Sequence, residues 1–483
     1  MKVLIILSWI SVISPAVFAQ SATVTWETTH QTMDGWGGED ANLSASGCRT
    51  GNVGNCFYAF TSAQAAAFFS PTSGIGLNII RTGNLGCPLT GACAINSTTI
   101  PNIGNLQLAY ANGAQVHVTI APPANLKYSG NFSTSTIGAD GGCVDTSNFS
   151  AYATYIVEYI EFVQGSPNNV PVAVVSPFNE ANLTAGQCYW TASLEDTFIK
   201  SYLGPAISTA GLTTKIMISD DSQSNELTSG TCLADSVCAA YVGSVSFHGY
   251  GKGSQDGMGT GYCCLTAPSP PANTTGKHIW QSEVNGGFNY NSAAELWSLD
   301  PSIADALVWA RSIHDYMTIT EASAWEYWEL ADCCATESGG PFNDALTDGS
   351  FNNTKRMYAI GQWSKYVRSG WIRIDATAIP SNGVYLTAFK DPSSDNFAIV
   401  AINQNSSPVT VNFSLPGFPS VASVTPTVTS ASVSLADQTD VIVTAAAFSY
   451  SLPSTSVVTF HATPSSSSSK NPAPPTALSL TIN

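Results

Sequence analysis

VAVVSPFNEANL, residues 172–183, is the stretch on which the reading of the fold turns. Pro171 bounds a short apolar run that ends in Pro177, Asn179 and the carboxylate Glu180. An apolar segment of about five residues beside a proline reads as a strand buried on both faces, the habit of parallel sheets. Glu180 then stands at the carboxyl end of that strand. Parallel α/β architectures collect their chemistry there, because the loops vary while the strands hold geometry. A second stretch, HIWQSEVNGG (278–287), repeats the plan: a short apolar strand, Gln281 and Ser282, then Glu283, with Gly286 and Gly287 allowing a loop to approach closely.

Working outward from these two, strand-like runs alternate with helix-like segments. Counting QTMDGWGGEDA, where Gly35, Gly37 and Gly38 surround Trp36, the strand candidates continue through GIGLNIIR (74–81), AQVHVTIAPP (114–123), VAVVSPFNE, KIMISDD (215–221), SVSFHGY (244–250), HIWQSE (278–283) and ASAWEYWEL (322–330). Between them TSAQAAAFF, FSAYATYIVEYIEFVQG and SIADALVWARSIHDYM carry apolar residues at three- and four-residue spacing, the period of a helix. Eight strands alternating with helices predict a (β/α)8 TIM barrel over residues 31–360. A doubly wound open sheet is the structural competitor. It gives no reason for the polar residues at the strand ends: Arg81, Asn179-Glu180, Asp220-Asp221, His248-Tyr250 and Glu283, with Trp325-Trp328 beside them.

The flanks read differently. Residues 1–19 have one lysine, an apolar run, and small residues Val17 and Ala19, the pattern of a cleaved secretory signal. Residues 20–30 hold an alternating strand, ATVTWETTH, expected to join a side domain. From 361 to 462 the runs are short and β-branched (VYLTAFK, NFAIVAINQ, PVTVNFSL, STSVVTFHA), as in an antiparallel β-sandwich. Residues 463–483 read as a Ser/Pro-rich tail.

Composition narrows the partners. The formal charge is -17, from 16 basic and 33 acidic residues, and the few cations are scattered. Such a chain is not built for nucleic acid or an anionic membrane. It suits a neutral or cationic ligand, and no association motif argues against a monomer. Twelve cysteines in an exported chain read as disulfides, with Cys48/Cys56, Cys87/Cys93 and Cys232/Cys238 close enough to staple single loops, and the partners of Cys263-Cys264 and Cys333-Cys334 open. There is no CxxC or CxxH pattern, so no metal and no cofactor are expected. Nine Asn-x-Ser/Thr sequons mark surface asparagines in a host that glycosylates them.

Two glutamates at strand ends are what glycoside hydrolysis with retention requires. One protonates the leaving oxygen and the other attacks the anomeric carbon. Glu180 and Glu283 end the fourth and seventh strands, which face each other across a barrel mouth. The ordered set QTMDGWGG, GIGLNIIR, APPANLK, VSPFNE, SFHGY, WQSE, SAWEYW and KRMYAIGQWSKYVRSGWIRI resembles glycoside hydrolase family 30, over residues of about 22–462. The resemblance implies a retaining O-glycosyl hydrolase with Glu180 as acid/base and Glu283 as nucleophile. It also implies that Arg81, Asn179, His248, Tyr250 and Trp325 line the first sugar subsite. Asn179 suits a sugar 2-hydroxyl, Arg81 is a permanent cation for Glu283, and Tyr250 can bond the same carboxylate. Trp36, Tyr189, Trp190 and Trp328 read either as sugar-stacking platforms or as packing, and Trp36 is placed with the substrate residues. Where the family has proline after the acid/base glutamate, this chain has Ala181. Arg49 is either a partner for a uronic acid branch or a surface arginine. The expected substrate is a polysaccharide or oligosaccharide, cleaved internally in a xylan-type hemicellulose. The alternatives are a β-1,6-galactan, a β-1,6-glucan, or a wall protein that binds carbohydrate without turnover.

Overall fold

The computed structural model describes residues 20–42, 56–57, 59–84, 87–97, 99–100, 102–132, 134, 136–184, 188–222, 230–250, 267–270, 274, 276–286, 288–291, 296–298, 302–331, 345–347 and 352–462. Residues 1–19, where a leader is expected, Cys48, Arg49, the Cys263-Cys264 and Cys333-Cys334 pairs, Gly287 and residues 463–483 fall outside these residues.

Eight parallel strands close into a barrel. In chain order they are Gly35–Glu39, Ile79–Gly83, Gln115–Thr119, Val172–Ser176, Lys215–Asp221, Val242–His248, His278–Glu283 and Ala324–Tyr327, with the eighth pairing back to the first. All eight runs read from sequence contribute a strand. The second starts only at Ile79, because Gly74 to Leu77 are spent turning the chain back onto the helix Ser62–Phe69 through bonds from Gly74 to Ser70 and from Leu77 to Phe68.

Side chains alternate between the two faces of each strand, so half of every strand faces the barrel axis and half faces the surrounding helices. Facing inward, Ile79, Val174, Met217, Trp280 and Ala324 form a small apolar layer. The helix-facing halves join a much larger cluster with the amphipathic helices Phe149–Gln164 and Ile303–Asp315. Each helix buries eight or more side chains, and the long helix Phe149–Gln164 hides Tyr152, Tyr155 and Tyr159 on one face. The glycines of the first strand have a packing cause: a Cβ on Gly37 would lie 2.9 Å from the Glu326 side chain and 2.9 Å from Ile79.

The side domain is a ten-stranded, mostly antiparallel sheet. The N-terminal strand Gln20–Thr32 sits within it, running parallel to Val409–Ser414 through Gln20 to Thr23 and antiparallel to Ile372–Ala376 beyond. Register breaks between Thr25 and Thr32 bend the strand so that it serves both neighbours. The two units share a core. The helix Lys355–Ser364 packs between them, Trp363 Nε1 donates to Thr387 Oγ1 at 2.9 Å, and Thr459 Oγ1 donates to the Gln362 backbone carbonyl at 2.7 Å. Among the described residues no helix is long and apolar enough to cross a membrane.

Candidate active site

Glu180 follows the fourth strand by a turn pinned from below. Tyr152 OH, reaching up from its helix, lies 2.7 Å from the Ile120 and Pro177 carbonyls, and Ser176 Oγ donates to Phe178 O. The Glu180 amide donates to the Asp220 carbonyl at 2.7 Å, and Asn182 is bonded to Ser222, so the turn is tied to the end of the fifth strand. Glu180, Ser219 and Asp220 have φ of 50°, 72° and 50°. Non-glycine residues in that region cost about 1–3 kcal/mol each and persist where surrounding bonds over-determine them. Register breaks at Ser219/Asp221 and at Gln281/Glu283 re-aim the last side chains of the fifth and seventh strands.

Arg81, on the second strand and only 1% exposed, is the hub. Its Nε donates to Thr119 Oγ1 at 3.1 Å and its Nη2 to Asn179 Oδ1 at 2.9 Å and Asp220 Oδ2 at 3.3 Å. Its Nη1 donates to both Glu39 Oε2 and Glu283 Oε2. Tyr250 OH donates to the other oxygen of Glu283 at 3.0 Å. His248, at the end of the sixth strand, lies with Nδ1 3.2 Å from Glu180 Oε1 and 3.5 Å from Glu283 Oε1, and with Nε2 3.4 Å from Asp220 Oδ1. One oxygen of Glu180, one of Glu283 and a His248 ring nitrogen all lie within 4.8 Å of one another.

The electrostatics follow from this crowding. Burial works against a charged His248, but Glu283 and Asp220 overcome it and hold the imidazole protonated well above its ordinary range. Burial likewise opposes ionisation of Asp220, and Arg81 followed by His248 outweighs it, so this carboxyl is held far below the usual carboxylate range. Burial pushes Glu39 up to about 8, Arg81 pulls it back and Glu283 pushes it further. Two carboxylates and an imidazole are donor types that also hold divalent cations. Here the imidazole is held protonated by Glu283 and Asp220, so it lends no lone pair until it loses that proton.

The structure therefore brings together Arg81, Asn179, Glu180, His248, Tyr250 and Glu283. It does not bring Trp36 and Trp325 to the site, which corrects the expectation that they meet substrate. Both are fully buried and both occupy the helix-facing parity of their strands. Trp36 packs on Trp363 and Phe389 and donates Nε1 to Val367 O at 3.0 Å. Trp325 packs edge-on to Trp309 of the helix Ile303–Asp315. The inward neighbours on those strands are Glu39 and Glu326. Trp190 is also core, stacked on Phe149. Trp328 keeps 9% of its surface, and its amide donates to Val284 O beside the nucleophile candidate. Sequence reasoning missed Glu39 and Thr119 as members of the site, and it set Asp220 at a strand end without giving it a role.

Three disulfides are found among the described residues: Cys87–Cys93, Cys232–Cys238 and Cys143–Cys188. The last closes the loop that carries Glu180 onto the loop after the third strand, beside the bond from Trp190 N to Ala181 O.

A parallel eight-stranded barrel with two glutamates meeting at the carboxyl ends of its fourth and seventh strands has the architecture of the barrel glycosidases. The comparisons with known proteins agree. A family model described as the glycosyl hydrolase family 30 TIM-barrel domain matches residues 97–263. The glucuronoxylanase of Bacillus subtilis (strain 168) is 27% identical over 314 residues, which cover 65% of this chain and 66% of the bacterial protein. The match thus spans just under two thirds of that relative's length. The structure of a glycoside hydrolase family 30 subfamily 8 xylanase from Clostridium acetobutylicum is similar with a TM-score of 0.71 at 27% identity, over 92% of this chain and 99% of that one. An endo-β1,6-glucanase, at 20% identity and a TM-score of 0.64 over 92% and 94% of the two chains, shares the fold. By that family model, these relatives and the solved structures, the chain is similar to glycoside hydrolase family 30.

Proposed function

We propose that the protein is an exported retaining glycoside hydrolase that cuts β-linked polysaccharide internally by double displacement, acting on a xylan-type hemicellulose. The observation that carries this reading is the meeting of Glu180 and Glu283, whose nearest oxygens come within 4.8 Å. Carboxyl groups about 5–5.5 Å apart serve retention, whereas inversion needs roughly 6.5–9.5 Å to admit a water between acid and base. Glu283 attacks the anomeric carbon, oriented by Arg81 and Tyr250. Glu180 protonates the departing oxygen and then, as base, activates the water that releases the sugar. Arg81 occupies the Oδ1 end of Asn179, which favours presentation of the amide nitrogen to a sugar 2-hydroxyl. The choice of xylan rests on the relatives named glucuronoxylanase and xylanase, and export rests on the leader pattern of residues 1–19.

The test is digestion of glucuronoxylan, arabinoxylan, β-1,6-glucan and de-arabinosylated arabinogalactan, with products resolved by size and the first-formed anomer read by proton NMR. A ladder of β-anomers from a xylan is the expected result. A ladder from a β-1,6-linked polymer overturns the substrate and keeps the mechanism. Monosaccharides alone overturn internal cleavage, and binding without products overturns catalysis.

A further inference from the structure

Glu39 has no place in the two-glutamate reaction, yet it reaches the same cation as the nucleophile. It projects inward from the end of the first strand, is 7% exposed, and among the described residues its side chain hydrogen-bonds to Arg81 Nη1. That nitrogen is also the one that holds Glu283 Oε2, while Nε and Nη2 are engaged by Thr119, Asn179 and Asp220. We propose that Glu39 is a positioning residue for the nucleophile: by sharing Arg81 Nη1 with Glu283, its carboxyl sets how firmly the guanidinium holds the attacking carboxylate. The inference rests on the reading of Glu283 as nucleophile.

Charge counting says which state does so. The groups facing Glu39 are Arg81 from the second strand, His248 from the sixth, Glu283 from the seventh and Asp40 beside it on its own chain. Asp220 from the fifth strand and Glu326 from the eighth act on the same Arg81. Arg81 and His248, with His117 set against Glu326, thus meet a larger number of carboxyls in a water-poor site, where an uncompensated charge is costly. A proton on one of the carboxyls relieves that cost. Asp220 is not the place for it, since it accepts from Ser246, Ser282 and Arg81 and lies against His248. Glu283 accepts from Arg81 and Tyr250. Among the described residues Glu39 accepts only from Arg81, and burial pushes it up to about 8. Neutral Glu39 still offers Nη1 a carbonyl oxygen but no longer competes for its charge. Once ionised, Glu39 pulls the guanidinium from Glu283 and repels the carboxylate.

The test is the pH profile of kcat/KM for the full chain on an oligosaccharide glycoside with a strongly activated leaving group, where departure needs little proton from Glu180. Wild type is expected to lose activity as the pH rises through about 8. Glu39→Ala lowers kcat by about 10²-fold with KM little changed, the scale of a roughly 1 Å misplacement. Glu39→Gln, a permanent neutral mimic, recovers most of that loss and moves the alkaline limb up by a pH unit or more. An alkaline limb unmoved in Glu39→Gln overturns the proposal, as does a loss in Glu39→Gln equal to that in Glu39→Ala. If Glu39→Gln does not fold, carbon-13 NMR of glutamate-labelled wild type decides instead, since no glutamate carboxyl titrating above about pH 7 sinks the idea. Failure of the nucleophile reading looks different: Glu283→Ala would stay active.

Discussion

Enclosed by the side sheet, Val24, Ile374, Leu386, Ile399, Phe413 and Phe460 form a cluster of aliphatic and aromatic side chains. At the axis of the barrel a comparable apolar cluster is confined to five residues, and toward the mouth the interior holds Glu326, His117, Arg81, Asp220, His248 and Glu39, all nine-tenths or more buried. The first cluster stabilises in proportion to the apolar area it removes from water. The second works against stability, because desolvating charges costs several kcal/mol per ion unless each is paired. It persists because the strand ends over-determine it: Asp220 alone collects bonds from the second, sixth and seventh strands. The comparison teaches where this protein can lose stability without losing chemistry, and where it cannot.

The largest effect expected is from Glu283→Ala, which should abolish polysaccharide cleavage. Azide should restore turnover of activated glycosides with inverted anomeric configuration, and activity near wild type without azide would falsify the assignment. Glu180→Gln should follow, with a loss of about 10²–10⁴-fold on polysaccharide, the usual weight of general acid catalysis. Kinetics on an activated aryl glycoside should show a much smaller loss, and equal losses on both substrates would remove Glu180 from the acid role.

Asp220→Asn tests the charged interior itself. Removing one partner of a buried ion pair costs about 3–5 kcal/mol, and Arg81 and His248 each lose one of their carboxylates. The sign of the pH dependence follows from the shifts. Asp220 is depressed from its ordinary 3.8, so its contribution is present at all pH values above that and is lost only in strong acid. Burial raises Glu39 from 4.5 to about 8, and it raises Asp40 from 3.8 to about 6 against the lowering bonds from Thr82, Asn102 and Asn105. Their contributions are complete below the ordinary values and are lost as pH rises through the folded ones. His248, raised from 6.5, acts in the same direction at higher pH. Tm from calorimetry should therefore fall from about pH 5 to pH 9 in wild type. In Asp220→Asn it should be lower throughout, and a Tm equal to wild type would mean that the interior charges are not coupled through this aspartate.

Phe413→Ala should sharpen the contrast from the other side. Truncating that stacked ring in the side sheet costs about 3–5 kcal/mol of stability. The kcat/KM of the folded fraction should not change, and a fall in it would show that the shared core transmits strain to the barrel mouth. Smallest of all is Trp325→Phe, expected to lower stability by about 1 kcal/mol and leave KM alone. A several-fold rise in KM would return Trp325 to the sugar.

Local sequence was enough for much of this. Apolar runs of strand length, helix-period segments between them and proline or glycine at their edges predict eight strands in the right places, since those signals act within a few residues. Glu180 and Glu283 could be singled out because each ends such a run. Arg81, Asn179, His248 and Tyr250 were legible through the ordered motifs and now stand around the pair.

What sequence could not decide is parity and distance. A strand buried on both faces gives no alternation to say which residues point inward. Trp36 and Trp325 were therefore read toward the axis, when closure of the barrel turns them to the helices and sends Glu39 and Glu326 inward. Cys143–Cys188, 45 residues apart, and the bonds that collect on Asp220 depend on which strand ends become neighbours. Residues that share one guanidinium, as Glu39 and Glu283 share Arg81, are brought there only by closing the ring. The strands were written locally in this chain, while the charges between them acquire partners, and so their protonation, only in the closed barrel.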